Sequence, residues 1–169
     1  GYGSFLTPYS VYDVHLTSNL KTLRKKDEVL GGYNPENYIS ERIWAPTHDG
    51  KKVAITLLYK KGVELKGDNP CFLWGYGSYG ATYDPWFSSN IFSLIDRGVV
   101  YARAHIRGSS FMGRQWYLEG KLTNKKNTFK DFISAGRYLS DEGITSPNKL
   151  AIYGGSAGGL LIGAVMNMA

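Results

Sequence analysis

Near the start of the chain apolar and polar positions alternate. Tyr12, Val14 and Leu16 are separated by Asp13 and His15, the two-residue period of a strand with one buried face. Thr17-Ser18-Asn19 then turns the chain toward residues 21–24, so the pattern predicts a hairpin. A second antiparallel pair is predicted over 39–45 and 52–59. It is joined through Pro46-Thr47-His48-Asp49-Gly50, where Asp-Gly suits the positive φ of a tight turn. Gly31-Gly32-Tyr33-Asn34-Pro35 between the two pairs marks a junction, dividing the chain into 1–32 and 33–169.

From about residue 70 the period changes. Residues 71–74, 99–104 and 150–153 are short unbroken apolar runs, the form taken by strands buried on both faces of a parallel sheet. Phe129, Phe132, Ile133, Gly136 and Leu139 recur at helical spacing, and Thr128 with Asp131 three residues later fits a capping box. A weaker helical pattern covers 90–94, and an apolar helix is expected over 160–168. Strand, helix, strand, helix, strand, helix predicts an α/β fold with a mostly parallel sheet, preceded by antiparallel strands.

Composition narrows the classes. With 43% hydrophobic and 20% charged residues the chain is ordinary globular material. Its apolar runs, such as 160–166, are far shorter than the roughly 20 residues a membrane helix needs. The first residues, Gly1-Tyr2-Gly3-Ser4-Phe5, have neither an initiator Met nor the basic and apolar regions of a signal peptide, so a processed or excised piece is expected. The single cysteine, Cys71, cannot form an internal disulfide, which favours a reducing, cytoplasmic setting. The net charge of +6 is spread over clusters diluted by acidic, amide and aromatic residues, so solvated faces are expected and no nucleic-acid partner.

The chemistry is written in two glycine-rich loops. Gly154-Gly155-Ser156-Ala157-Gly158-Gly159 follows the strand at 150–153 and precedes the helix at 160–168. This is G-x-S-x-G in the context that a nucleophile elbow requires, with small residues where strand and helix backbones approach. Ser156 is the candidate nucleophile, and the Ala157 N–H is a candidate donor to a developing oxyanion; the alternative is an ordinary N-cap serine. The second loop, Gly75-Tyr76-Gly77-Ser78-Tyr79-Gly80, matches G-x-G-x-x-G literally. A dinucleotide site needs a helix to open there and an acidic residue to end the next strand. Instead Ala81-Thr82-Tyr83-Asp84-Pro85 follows, and Asp96 precedes its strand, so no cofactor is assigned. His15, His48 and His105 lack metal-ligand spacing, and Cys71 lies in an apolar strand, so no metal is assigned either.

Gly75 to Gly80, Arg107-Gly108, Gly113-Arg114-Gln115-Trp116-Tyr117 through Gly120-Lys121, Lys125-Lys126-Asn127-Thr128-Phe129 and Gly154 to Gly159 together resemble the prolyl oligopeptidase family. The likeness is closest to the branch that cleaves after basic residues. It covers essentially the whole chain, with residues 3–16 similar to the last blade of that family's β-propeller and Gly31 onward similar to its α/β-hydrolase domain. The resemblance implies a serine peptidase for short peptides, with Ser156 as nucleophile and the Tyr76 hydroxyl as second oxyanion donor beside Ala157. It also implies Tyr79 and Asp84 as substrate-binding residues. Trp86 stands where a second acidic residue belongs, and Ser109, Ser110 and Phe111 replace glycines and a glutamate of the pattern.

In α/β-hydrolases the triad runs Ser, then Asp or Glu, then His. The 13 residues after Ser156 hold neither an acid nor a histidine. The chain alone is therefore expected to be inactive and poorly soluble unless the remainder of the domain covers the strand at 150–153. Two other readings stay open: a non-catalytic interaction domain on the same scaffold, and a nucleotide-binding module built on the Gly75 loop.

Overall fold

The computed structural model describes residues 1–169. β1 (Ser10–Val14) and β2 (Lys21–Lys26) form the predicted hairpin as a separate two-stranded sheet. β3 (Tyr38–Pro46) and β4 (Lys52–Lys60) form the second pair, turned through Gly50 at φ 79°. β5 (Cys71–Trp74), α1 (Ser89–Ile95), β6 (Val100–Ala104), α2 (Arg114–Leu118), α3 (Lys126–Asp141), β7 (Leu150–Tyr153) and α4 (Ala157–Met168) follow.

The main sheet has the order β3-β4-β6-β5-β7 and is mixed. β5 runs parallel to β6 and to β7, while β4 runs antiparallel to β3 and to β6. The expectation of a mostly parallel sheet is corrected: only half of its strand pairings are parallel. The β3–β4 pair does not stand apart. β4 is buried along nearly its whole length because it pairs on both edges and is covered on both faces.

Alternation along the strands builds two layers. Ile55, Leu57, Leu73, Val100, Ala102 and Ala104 face α3 and α4, meeting Phe132, Ala135, Leu139, Leu161 and Val165 in the larger core. Leu58 and Tyr101 face the other way onto Phe5 and onto Phe92 and Ile95 of α1. Burying these side chains fully stabilises the fold by roughly 1.5–3 kcal/mol for each large aliphatic or Phe.

α3 begins three residues earlier than its capping-box reading, which is also corrected. Lys125 occupies the cap position without a side-chain cap bond. Thr128 Oγ1 instead donates to Gly120 O at 3.0 Å, and Asp131 is taken by Arg107. The Arg107 guanidinium and backbone N–H together occupy both Asp131 oxygens, and the bidentate ion pair fixes the carboxylate away from the helix cap.

Candidate active site

β7 ends at Tyr153, and the chain must reverse into α4 within three residues. It does so by placing Ser156 at φ 55°, ψ −120°, a region that L-residues enter only at a cost of order 1–3 kcal/mol. The glycines make the reversal possible. A Cβ on Gly154 would overlap the backbone of Gly158, and one on Gly158 would lie 3.0 Å from Gly75 O. α4 therefore starts at Ala157, not at Leu160, taking in Gly158 and Gly159 despite their poor helix propensity, since the close approach to the Gly75 carbonyl leaves little room for a side chain at Gly158.

Ser156 is exposed, and its hydroxyl makes no cap hydrogen bond. The N-cap alternative thus loses its defining interaction. As the first residue of α4, Ala157 has no intrahelical acceptor for its N–H, and no loop acceptor takes it either. A free donor at the positive end of a helix, beside an exposed hydroxyl, suits an oxyanion.

Tyr76 sits on the loop after β5, next to the elbow. A Cβ on Gly158 would meet Tyr76 Cδ2 at 3.6 Å. Its ring packs edge-on against Tyr83 at 5.1 Å, and Tyr83 in turn packs against Trp74 at 4.6 Å. Burial, with Tyr76 adding to it, pushes the Tyr83 hydroxyl above the ordinary phenol range. Tyr79, at φ 58° and 80% exposed, lines a cleft of about 390 Å³ together with Tyr117, Lys121, Lys125, Ala157 and Leu160. Tyr76 lines a separate, smaller hollow with His105 and Phe111. Asp84 is exposed on the loop leading to α1, which opens only at Ser89. The Gly75 loop thus starts no helix that could hold a pyrophosphate.

None of the three histidines is placed as a base. His15 is exposed on the first hairpin, and His48 is exposed in the β3–β4 turn. His105 is 6% exposed, its Nε2 lies 2.9 Å from Thr56 Oγ1, and its ring stacks on Phe111 at 3.9 Å. Burial and the neighbouring Arg42 and Arg103 push its pKa down to about 3.

Behind the loops lies a charge network for which the sequence reading had no role. Arg107, 1% exposed, donates Nε to Asp131 Oδ2 at 2.8 Å and Nη2 to Asp131 Oδ1 at 2.5 Å. The Arg107 N–H also reaches Asp131 Oδ2, at 3.0 Å. On its other side Nη1 and Nη2 hold Asp49 at 2.5 and 3.1 Å. Those bonds keep the Asp49 carboxyl well below its usual range. Lys125 Nζ donates to Gly77 O at 2.6 Å and to Ser78 Oγ at 2.9 Å. Arg107, Lys125 and Asp131 all lie in or beside the motifs quoted above, but nothing local shows that they turn inward.

Residues 85–169 match the model of the prolyl oligopeptidase family. The chain belongs to that family. It is 50% identical over 169 residues to dipeptidyl aminopeptidase BI of Pseudoxanthomonas mexicana, covering 99% of this chain and 23% of the relative. Protease 2 of Moraxella lacunata is 45% identical over 168 residues, 99% of this chain and 24% of its own. Oligopeptidase B from Leishmania major superposes with a TM-score of 0.92 at 45% identity, over 99% of this chain and 23% of that structure. The chain thus spans just under a quarter of the length of these relatives.

Proposed function

We propose that this chain carries the nucleophile and both oxyanion donors of a serine peptidase that acts through an acyl-enzyme. Ser156 attacks the scissile carbonyl, and the Ala157 N–H and the Tyr76 hydroxyl receive the oxyanion. The carrying observation is the strained Ser156 backbone, which presents a hydroxyl free of capping duty beside an unclaimed amide. With His105 buried and neutral and the other two histidines on turns that do not line the cleft beside Ala157, the general base in this reading comes from residues outside these 169, as does the carboxylate that orients it.

The substrate in this reading is a short peptide with a basic residue at the cleavage site. Tyr79, on the cleft beside Ala157, offers an aromatic face, and Asp84 on the same loop system offers a charge for a cation. The resemblance to enzymes named oligopeptidase B supports this preference. Residues 1–32 belong in this reading to the end of a β-propeller and 33–169 to the N-terminal part of the catalytic domain. Both pack against the remainder of the same protein, in the cytoplasm.

A fluorophosphonate probe on the complete protein, followed by peptide mapping, tests the assignment. The label is expected on Ser156, and Ser156→Ala is expected to lower kcat by roughly 10⁴-fold or more while leaving the melting curve in place. A label elsewhere, or a loss below tenfold, would return the chain to the non-catalytic reading.

A further inference from the structure

Behind the Gly75–Gly80 loop one cation is partly buried without a carboxylate. Lys125 stands at the entry to α3, and its Nζ is held by two neutral acceptors, Gly77 O at 2.6 Å and Ser78 Oγ at 2.9 Å. Burial lowers its pKa, and no acid offsets that. An ammonium taken from water without a counter-ion costs stability that two neutral bonds replace only in part. The arrangement does more for the loop than for the fold.

The carbonyl it grips belongs to the Gly77–Ser78 peptide, one residue beyond Tyr76. Gly77, at φ 69°, is wedged so tightly that a Cβ there would lie 2.8 Å from Ile106 Cγ1 and 2.9 Å from Arg107 O. On the far side Gly80 N donates to Gly108 O at 2.9 Å. Arg107, the residue before Gly108, is locked to Asp131 and Asp49. With the Gly77 carbonyl held by Lys125 and its Cα boxed in, the residue that follows Tyr76 is anchored, which limits how far the Tyr76 backbone can shift.

We infer that Lys125 is a positioning residue: by holding the Gly77 carbonyl it presets the Tyr76 hydroxyl for the oxyanion. The inference rests on the proposed role of Tyr76. Lys125 also lines the cleft beside Ala157, so the test separates positioning from direct contact with substrate.

The test is a double-mutant cycle in the complete enzyme. Tyr76→Phe is expected to lower kcat by roughly 10²-fold to 10³-fold with KM little changed. Lys125→Met is expected to lower kcat by roughly tenfold to a hundredfold, also with KM within about twofold, since small misplacements cost that much. Lys125→Arg, which keeps a charged donor, should recover part of the loss. On the Tyr76→Phe background Lys125→Met should cost less than about threefold, because a misplaced hydroxyl no longer matters once it is gone. If Lys125→Met does not melt cooperatively, Lys125→Gln takes its place in the cycle. Equal losses on both backgrounds overturn the positioning role while leaving the Tyr76 assignment intact. A rise in KM at constant kcat makes Lys125 a substrate contact and overturns it as well. An unchanged kcat in Tyr76→Phe removes the oxyanion assignment and the inference with it.

Discussion

His105 illustrates how far a side chain's surroundings decide its chemistry. It stands at the end of an apolar strand, and in the fold it is sealed between Thr56, Phe111 and the sheet. Trp116 Nε1 even claims its carbonyl oxygen at 2.9 Å. Its native pKa of about 3 lies below the roughly 6.5 of an unfolded imidazole. Unfolding therefore takes up a proton throughout that window, and stability falls as pH drops from about 6.5 toward 3. The slope is at most about 1.4 kcal/mol per pH unit for one proton. Urea midpoints measured from pH 7 to pH 4 should decline more steeply in the wild type than in His105→Gln, which has no proton to gain. Identical slopes in the two proteins would mean that the imidazole is protonated in the native state. Ser156 makes the complementary point, since there the residue type was legible and its φ of 55° is what the motif demands.

Among the elements, the strand-to-helix reversal depends on which glycine is which. Gly154 faces the backbone of Gly158, whereas the nearest atom to a Cβ on Gly155 is Tyr153 Oη at 3.5 Å, an ordinary contact. Gly154→Ala should destabilise the protein by about 2 kcal/mol or more, as backbone cannot rearrange like a side chain. Gly155→Ala should stay within about 0.5 kcal/mol. Chemical denaturation of the two variants checks the contrast, and equal effects would show that the reversal tolerates a side chain at 154. The regular elements were largely legible: both hairpins, β5, β6, β7 and the long α3 came from period and turn residues. The five-residue α2 and the true start of α3 were not. α2 is too short to show a period, and α3 begins where Lys125 is recruited by the Gly77 loop and not where a capping side chain appears.

At the scale of the whole molecule, the sheet ends on two unlike edges. β3 carries Ser40, Glu41 and Arg42, all exposed. β7 pairs only with β5 and presents Leu150, Ala151, Ile152 and Tyr153, none of them charged. An uncharged edge with free N–H and C=O groups templates further pairing. The purified 169-residue chain should therefore self-associate in a concentration-dependent way by light scattering, and Ala151→Lys should reduce this. The same chain should not hydrolyse an Arg-containing fluorogenic peptide above background, because His105 is buried and neither His15 nor His48 lines the cleft beside Ser156. Turnover that disappears with Ser156→Ala would show that some other group here acts as the base.

By itself the sequence determined what is local. The Ser156 elbow, the Gly50 turn and the strand and helix periods all depend on residues a few positions apart, where φ requirements and side-chain spacing act directly. Only the tertiary structure decided the strand order, the antiparallel insertion of β4 and the partners of the buried charges. Arg107 meets Asp131 and Asp49 across 24 and 58 residues, Lys125 meets Gly77 across 48, and His105 meets Thr56 across 49. A charge reads as solvated until the fold takes its water away. What a buried charge then binds is set by which chain segments the core has brought together.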